Sequence, residues 1–281
     1  MKPTVLIVYA DHLMQRLPEN LLAALPVPIF RSDCVLRFPV ADGFRLPENI
    51  AAALHAAQID HAILPDMAFS ELGLIVSDMD STLITIECVD EIAARLGLKE
   101  QVAAITEQSM RGEIDFTQSL RARVALLAGL PESELQTVYD EVLQLSPGTA
   151  ELMAACKRHQ VKFMLISGGF TFFTERLQTR LGLDFAYANQ LESRDGKLSG
   201  QLLGHIIDAQ AKRDLLQEKR ELLQLRAQQV LAVGDGANDI PMLQAAGIGV
   251  AYRAKLKTKT AADCAIDFGG LEGIVRLFRD E

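Results

Sequence analysis

The chain contains no tryptophan and only four cysteines among its 281 residues. The cysteines are widely scattered and form no C-x-x-C pair. That spacing is typical of free thiols in a reducing compartment, and a disulfide framework is not indicated. We therefore expect a cytoplasmic protein.

Long apolar runs and basic stretches are also lacking. No apolar run approaches the length of about 18 residues that a membrane helix requires. The run at residues 4–10 lacks the cationic flank and the cleavage pattern of a signal peptide, so it predicts a strand. Lys+Arg total 28 against 37 for Asp+Glu, and the net charge is -9. This balance argues against a nucleic acid or a membrane as partner.

Short apolar runs alternate with amphipathic stretches from residue 72 onwards. Runs of this kind predict buried strands, and strands that alternate with helices predict βαβ units. The predicted fold class is therefore α/β, with a doubly wound, Rossmann-like parallel sheet. The predicted core strands are 72–77, 161–166, 185–188, 230–233 and 247–251, and the helices between them include 151–159, 171–181 and 211–225.

Residues 86–145 break this alternation, because they show helical periodicity without a strand pattern. Such a stretch is too long for one crossover connection. We predict a helical cap at about 86–145, inserted into a catalytic domain of residues 71–281, and a small N-terminal α/β domain at residues 1–70. The predicted elements of the N-terminal domain are strands at 4–9, 34–38 and 61–64 and helices at 18–25 and 47–57.

The sharpest motif is D-M-D-S-T-L at residues 78–83, directly after the predicted strand 72–77. Open α/β sheets bind ligands at the carboxyl ends of their strands, so Asp78 and Asp80 are candidate site residues. A turn or a helix cap would explain one carboxylate at this position, but not two.

Two further motifs also follow predicted strands. V-G-D-G-A-N-D at residues 233–239 supplies Asp235 and Asp239, whose hard oxygens predict half of a divalent-cation site. I-S-G-G-F at residues 166–170 ends a strand and opens a helix, where a hydroxyl and glycine amides can hold phosphate oxygens. Taken alone, Lys212 is typical of a solvated surface lysine.

Together, and in this chain order, the D-x-D-x-T motif, Ser167, Lys212 and the G-D-x-x-N-D motif resemble the haloacid dehalogenase superfamily of phosphotransferases. The resemblance covers about residues 72–281, and the helical insertion matches the capped members. The motifs, Glu87 and the cap segment F-T-Q-S-L-R-A-R-V at 116–124 are similar to those of members that hydrolyse phosphoserine. The resemblance implies a Mg²⁺-dependent phosphoric monoester hydrolase that converts O-phospho-L-serine to L-serine and phosphate, the last step of serine biosynthesis.

The resemblance also implies roles in the reaction. Asp78 would attack phosphorus and become an aspartyl phosphate. Asp80 would protonate the departing serine oxygen and later accept a proton from the attacking water. Mg²⁺ would be bound by Asp78, by Asp235 and by the backbone carbonyl of Asp80.

Other implied roles concern the phosphate group. Ser167, the Gly168 amide and Lys212 would hold its oxygens as charge spreads in the transition state. Asn238 and Asp239 would orient Lys212 and the waters around the metal.

Selective binding of phosphoserine requires an anion for its ammonium and a cation for its carboxylate. By resemblance, Glu87 would bind the ammonium and Arg123 the carboxylate, in bidentate fashion. Met110 and Phe116 would close an apolar lid that excludes water.

Two alternatives stay open. One is another enzyme on the same scaffold, either a phosphatase for a different small molecule or a phosphotransferase that passes the phosphoryl group to an alcohol such as homoserine. The other is a binding protein without turnover, although every catalytic residue named above is present in the chain. A homodimer and an ACT-like, amino-acid-sensing role for residues 1–70 are likewise left open.

Overall fold

The computed structural model describes residues 2–280, with the side chain of Met110 excepted. Its strands form a sheet of four strands near the N-terminus and a sheet of seven strands in the rest of the chain. Within residues 2–280, no helix combines the length and the apolar character that a membrane crossing requires. The predicted α/β class and its parallel sheet are confirmed.

The first sheet is antiparallel, with the strand order β2-β3-β1-β4. Its elements follow one another in the split βαβ arrangement. They are β1 (Thr4–Tyr9), α1 (Leu13–Arg16), α2 (Glu19–Ala23), β2 (Phe30–Arg31), β3 (Val35–Val40), α3 (Glu48–Ala56) and β4 (Asp60–Pro65). The elements predicted for residues 1–70 are present. β2 and α1 were not predicted, because each is too short to show a periodic pattern.

Strand β1 shows how the first sheet is held against the rest of the protein. Its β-branched residues favour a strand, and its residues from Val5 onwards are buried on both faces. Leu6 and Val8 pack in a core with the helices of the same unit. Ile7 and Tyr9 belong to the large core that continues beneath the second sheet. The first sheet therefore lies between its own helices and the body that contains the second sheet.

The second sheet has the order β11-β10-β9-β5-β6-β7-β8. Neighbouring strands are parallel except β7 and β8, which are antiparallel. The strands are β5 (Leu74–Ser77), β6 (Lys162–Phe170), β7 (Phe185–Arg194), β8 (Lys197–Leu203), β9 (Val230–Gly234), β10 (Ile248–Tyr252) and β11 (Cys264–Ile266). Since β6 and β9 lie on opposite sides of β5, the strand order reverses at β5, where open α/β sheets bind ligands.

This sheet differs from the prediction in several places. β6 continues to Phe170 and β7 to Arg194, whereas β8 and β11 were not predicted. β8 is polar and contains a glycine, so it lacks the apolar run of a buried strand. β7 and β8 are joined by Asp195 and Gly196, which have φ values of 53° and 73°. An Asp-Gly pair with two positive φ values is a common hairpin turn.

Four helices form the cap, within the predicted interval 86–145. They are α4 (Cys88–Arg95), α5 (Lys99–Met110), α6 (Phe116–Ala125) and α7 (Ser133–Glu141). α6 begins with a reciprocal cap, in which the Asp115 side chain accepts from the Gln118 amide at 2.7 Å and the Gln118 side chain accepts from the Asp115 amide at 3.0 Å. β8 packs closely on the end of α6, as a Cβ added at Gly200 would lie only 3.2 Å from the Ala125 carbonyl oxygen. The β7–β8 hairpin thus supports the cap.

The remaining helices flank the second sheet. On strand β5, Leu74 and Val76 pack into one apolar core, whereas Ile75 packs into the larger core on the opposite face. This burial of both faces explains the continuous apolar runs in the sequence. The helices are α8 (Thr149–His159), α9 (Thr171–Leu181), α10 (Ala209–Leu222), α11 (Ile240–Ala245), α12 (Leu256–Ala261) and α13 (Glu272–Arg276).

Candidate active site

Three adjacent strands of the second sheet, β9, β5 and β6, end at one edge. Asp78 follows β5, Ser167 lies in the last part of β6, and Asp235 follows β9. Because these strands are parallel, their carboxyl ends bring the three motifs together. The Thr82 hydroxyl donates to Asp235 Oδ1 at 3.1 Å, although the two residues are 153 positions apart.

The turn after β5 has an unusual backbone. Within Met79–Leu83, Asp80 is extended and Ser81 is left-handed with φ 56°, a conformation that costs a non-glycine residue about 1 kcal/mol or more. The Ser81 amide donates to the Ile86 carbonyl at 3.2 Å, and the Ser81 hydroxyl donates to Glu87 Oε1 at 2.6 Å. The turn therefore connects the D-x-D-x-T motif directly to the residue before cap helix α4.

Lys212 is buried beneath this turn with none of its surface exposed. Its Nζ donates to Asp78 Oδ1 at 2.6 Å and to Asp239 Oδ1 at 2.7 Å. Burial by itself would lower the pKa of Lys212, but the negative charges of Asp239 and Asp78 have the larger effect, so this pKa is raised. Burial and the charge of Asp239 raise the pKa of Asp78, against the effect of Lys212. Lys212 is thus the cation of a buried charge cluster, and not the surface lysine that its sequence context alone suggested.

An acidic cluster lies beside Lys212. One oxygen from each of Asp78, Asp235 and Asp239 lies within 4.8 Å of the others. Burial, and then Asp239, raise the pKa of Asp235 to about 6, as expected where carboxylates crowd together. Both oxygens of Asp239 are engaged, one by Lys212 and the other by the Gly236 amide at 3.0 Å. These hard oxygens fit a divalent cation, with Asp78 and Asp235 better placed than Asp239 to be its carboxylate ligands.

Among the described residues, the Asp80 carboxylate is not part of that cluster. Its Oδ1 accepts from the Cys88 amide in the first turn of α4 at 3.1 Å. Its Oδ2 would lie 2.9 Å from a Cβ added at Gly169, so it faces the end of β6. Burial, and then the charge of Glu87, raise the pKa of Asp80 to about 7. A carboxyl group that holds its proton near neutral pH can act as a general acid.

Residues 167–169, hereafter the glycine loop, lie within β6 and not in the first turn of α9, which begins at Thr171. The Gly169 amide donates to Ser167 Oγ at 2.8 Å, which orients that hydroxyl. A Cβ added at Gly168 would lie 3.0 Å from Cζ of Phe116 on the cap. The loop needs glycine because the acidic motif and the cap approach it from two sides.

A cavity of about 360 Å³ opens at this edge of the sheet, between the strand ends and the cap. Most of the predicted site residues line it: Asp78, Asp80, Glu87, Phe116, Arg123, Gly168, Asp235 and Asn238. Ser167, Lys212 and Asp239 are fully buried and lie behind its wall. Met110 ends α5, and its side chain lies outside the described part of the structure.

Four further residues that the sequence analysis did not single out line the cavity: Val89, Asp90, Thr106 and Leu120. Asp90 follows Glu87 by three positions and Leu120 precedes Arg123 by three. Residues at this helical spacing share a face, so the spacing was a usable signal for both. No comparable signal points to Thr106.

The cap side of the cavity presents opposite charges. Burial raises the pKa of Glu87. Burial lowers the pKa of Arg123, against the effects of Asp90 and Glu87. The Arg123 Nε donates to the Ser119 carbonyl at 3.4 Å. A ligand with both an ammonium and a carboxylate could therefore pair with this wall.

The chain is similar to known proteins in sequence and in fold. Residues 72–247 match the family model described as haloacid dehalogenase-like hydrolase. The chain is 47% identical over 238 residues to a phosphoserine phosphatase of Albidiferax ferrireducens, and the match covers 83% of this chain and 99% of that protein. The crystal structure of a HAD family hydrolase from Salmonella enterica serovar Typhi superposes with a TM-score of 0.89 at 32% identity, over 99% of each chain. A structure described as a phospho-aspartyl intermediate analogue of phosphoserine phosphatase superposes with a TM-score of 0.69 at 36% identity, over 74% of this chain and 99% of that one.

Proposed function

The chain belongs to the haloacid dehalogenase-like hydrolases, and on that premise we propose that it is a phosphoserine phosphatase. It hydrolyses O-phospho-L-serine to L-serine and phosphate. The observation that carries this proposal is the cavity itself, which has Asp78 among its lining residues and Glu87 and Arg123 on its cap side. The name of the Albidiferax relative supports the same substrate.

We propose a reaction in two steps through Asp78. First, an Asp78 oxygen bonds to phosphorus as the bond from phosphorus to the serine oxygen breaks, and Asp80 gives that oxygen its proton. Then a water oxygen bonds to phosphorus, the bond to Asp78 breaks, and Asp80 takes the proton of the water. The raised pKa of Asp80, about 7, supports its exchange of a proton in both directions.

The phosphate oxygens need donors that are already in place. We assign this role to the Ser167 hydroxyl, the Gly168 amide and the Lys212 ammonium. The buried Lys212 ammonium donates a hydrogen bond to Asp78, so its positive charge lies beside the proposed nucleophile, which supports this assignment. Preorganised donors of this kind stabilise the charge that spreads in the transition state.

Mg²⁺ is the ion that we propose for the acidic cluster. The Asp78 and Asp235 carboxylates and the Asp80 backbone carbonyl would hold it, while Asn238 and Asp239 orient Lys212 and the metal waters. When bound, the ion supplies positive charge that offsets the repulsion between a carboxylate and an anionic phosphate.

Substrate selection falls to the cap. Glu87 binds the ammonium of phosphoserine, and Arg123 binds its carboxylate. Phe116 closes over the glycine loop, which it already approaches in the structure. Met110 is assigned to the same lid from the sequence resemblance.

We further propose that residues 1–70 form a domain of their own beside a catalytic domain of residues 71–281 with the cap at about 86–145. The split βαβ order of the first sheet supports an ACT-like regulatory role for that domain. We place the enzyme in the cytoplasm, at the last step of serine biosynthesis, and a homodimer is the assembly to test for.

The proposal is tested by phosphate release from phosphoserine, with Mg²⁺ and with EDTA, against phosphothreonine, sugar phosphates and nucleotides. We expect Mg²⁺-dependent release with a strong preference for phosphoserine. Activity confined to another ester would leave Asp78 as nucleophile but remove Glu87 and Arg123 from their roles. Adding homoserine distinguishes the phosphotransferase alternative, because a phosphorylated alcohol would then replace free phosphate.

A further inference from the structure

A bulge separates the glycine loop from the regular part of the sheet. β6 and β7 are paired at Ile166 with Tyr187 and again at Phe170 with Asn189, so three residues of β6 face one residue of β7. A bulge of this kind releases backbone groups from the strand ladder and re-aims the side chains within it. The position of the glycine loop therefore depends on contacts other than the ladder.

Asn189 makes such a contact. Only 1% of its surface is exposed. Its Nδ2 donates to the Gly168 carbonyl at 2.8 Å, and its Oδ1 accepts from the Ile207 amide at 2.8 Å. A carbonyl only accepts and a backbone amide only donates, so these partners fix the orientation of the Asn189 side chain.

The second partner of Asn189 leads directly to Lys212. Ile207 precedes Asp208, which caps α10 by accepting from the Ala211 amide at 2.8 Å. Lys212 follows in the first turn of that helix. One buried side chain thus bonds both to the glycine loop and to the start of the helix that contains Lys212.

We propose that Asn189 is a positioning residue for phosphate binding. It fixes the glycine loop relative to α10 and so sets the separation between the Ser167 and Gly168 donors and the Lys212 ammonium. The inference rests on the proposed function, because these donors act together only if they hold one phosphate. Both polar atoms of the buried Asn189 side chain are engaged, one by the Gly168 carbonyl and the other by the Ile207 amide, so it acts through Gly168 and α10 and not on the substrate itself.

Two substitutions test this role. Asn189→Asp keeps an acceptor for the Ile207 amide but turns an oxygen towards the Gly168 carbonyl. Asn189→Leu, whose side chain has the same branching and the same number of heavy atoms, removes both hydrogen bonds. The measured quantities are the inhibition constants of inorganic phosphate and of L-serine in the presence of Mg²⁺, because an inhibition constant does not depend on the fraction of enzyme that is folded.

We expect the inhibition constant of phosphate to rise about tenfold in Asn189→Asp and further in Asn189→Leu, since a buried carbonyl is left unpaired. The constant for L-serine, which binds at Glu87 and Arg123, should stay within about twofold. Thr149→Val is the matched control. Thr149 is buried and its hydroxyl donates to the Ser146 carbonyl at 2.7 Å, so this variant should lose stability without a change in either constant.

Unchanged phosphate inhibition in both Asn189 variants, or equal changes for phosphate and L-serine, would overturn the proposal and leave Asn189 a purely structural residue. Measuring phosphate inhibition with an aryl phosphate as reporter separates this result from a failure of the proposed function. If the wild type neither hydrolyses phosphoserine nor binds L-serine, the proposed function fails. The inhibition constants of phosphate, measured with the aryl phosphate, still decide the role of Asn189.

Discussion

Replacing Arg123 with alanine should separate recognition of the serine moiety from the chemistry at phosphorus. Among the described residues, the Arg123 guanidinium donates through Nε to the Ser119 carbonyl, and neither terminal nitrogen has a hydrogen-bond partner. These nitrogens are the ones that can accommodate a substrate carboxylate. A phosphate ester without a carboxylate has no such contact to lose.

The size of the effect follows from two contributions. A hydrogen bond to a charged group contributes about 1.5–3 kcal/mol, so losing the carboxylate contact should lower kcat/KM for phosphoserine between about tenfold and about 150-fold. Arg123 also offsets the charges of Asp90 and Glu87. Without Arg123 these carboxylates repel any anionic substrate. The resulting fall in kcat/KM should be about fivefold or less, because solvent and salt screen the repulsion.

The assay compares kcat/KM for phosphoserine and for an aryl phosphate, at low and at raised ionic strength. The loss with aryl phosphate should shrink with salt, while most of the loss with phosphoserine persists. Arg123→Lys keeps the charge without the planar fork and should fall between wild type and alanine. Equal losses on both substrates would show that Arg123 does not bind the substrate carboxylate.

Three further outcomes are expected. Lys212→Met leaves Asp78 and Asp239 facing each other in a buried site, so the free energy of unfolding in EDTA should fall by about 3–5 kcal/mol and be partly restored by Mg²⁺. An unchanged thermal unfolding curve in EDTA would contradict the buried charge cluster. Gly234→Ala places a Cβ 2.5 Å from the Asp239 Cγ, so denaturant unfolding should show about 1–3 kcal/mol of destabilisation and kcat should fall. A variant with the kcat of the wild type would show that close approach at Gly234 is not needed. Asp60→Asn replaces the carboxylate that accepts from the Asp267 and Gly269 amides at 2.8 Å each, so the free energy of unfolding should fall by about 1–3 kcal/mol while kcat is retained. A lower kcat in the fully folded variant would instead show that the first sheet is coupled to the active site.

The parts of the fold that the sequence predicted are those in which burial leaves a periodic pattern. The strand that precedes Asp78 is buried on both faces, so its apolar run was unambiguous. The chemistry was predictable because carboxylates placed after parallel strands must meet at one edge. Only the family resemblance pointed to Lys212 and to the cap residues Glu87, Met110, Phe116 and Arg123. For Lys212 the reason is that its burial depends on partners far away in the chain.

The parts that were not predicted depend on tertiary contacts. β8 and the last part of β7 form a polar, partly exposed hairpin at the edge of the sheet, where it supports α6, so no apolar run marks it. Its Asp195-Gly196 turn was a readable signal. Two glycines at the end of a predicted strand are compatible with a bulge. The two hydrogen bonds of Asn189 had no signal, because an asparagine just beyond the predicted strand 185–188 does not reveal its partners.

The central claim is that catalysis proceeds through a phosphorylated Asp78. The most direct measurement is acid quenching of the enzyme during turnover of phosphoserine with Mg²⁺, followed by peptide mass spectrometry, with Asp78→Asn as the control. We predict one phosphoryl group on the peptide that contains Asp78 in the wild type, and neither this adduct nor turnover in a folded Asp78→Asn protein. A phosphoryl group on another residue, or turnover by the Asp78→Asn protein, would contradict the account.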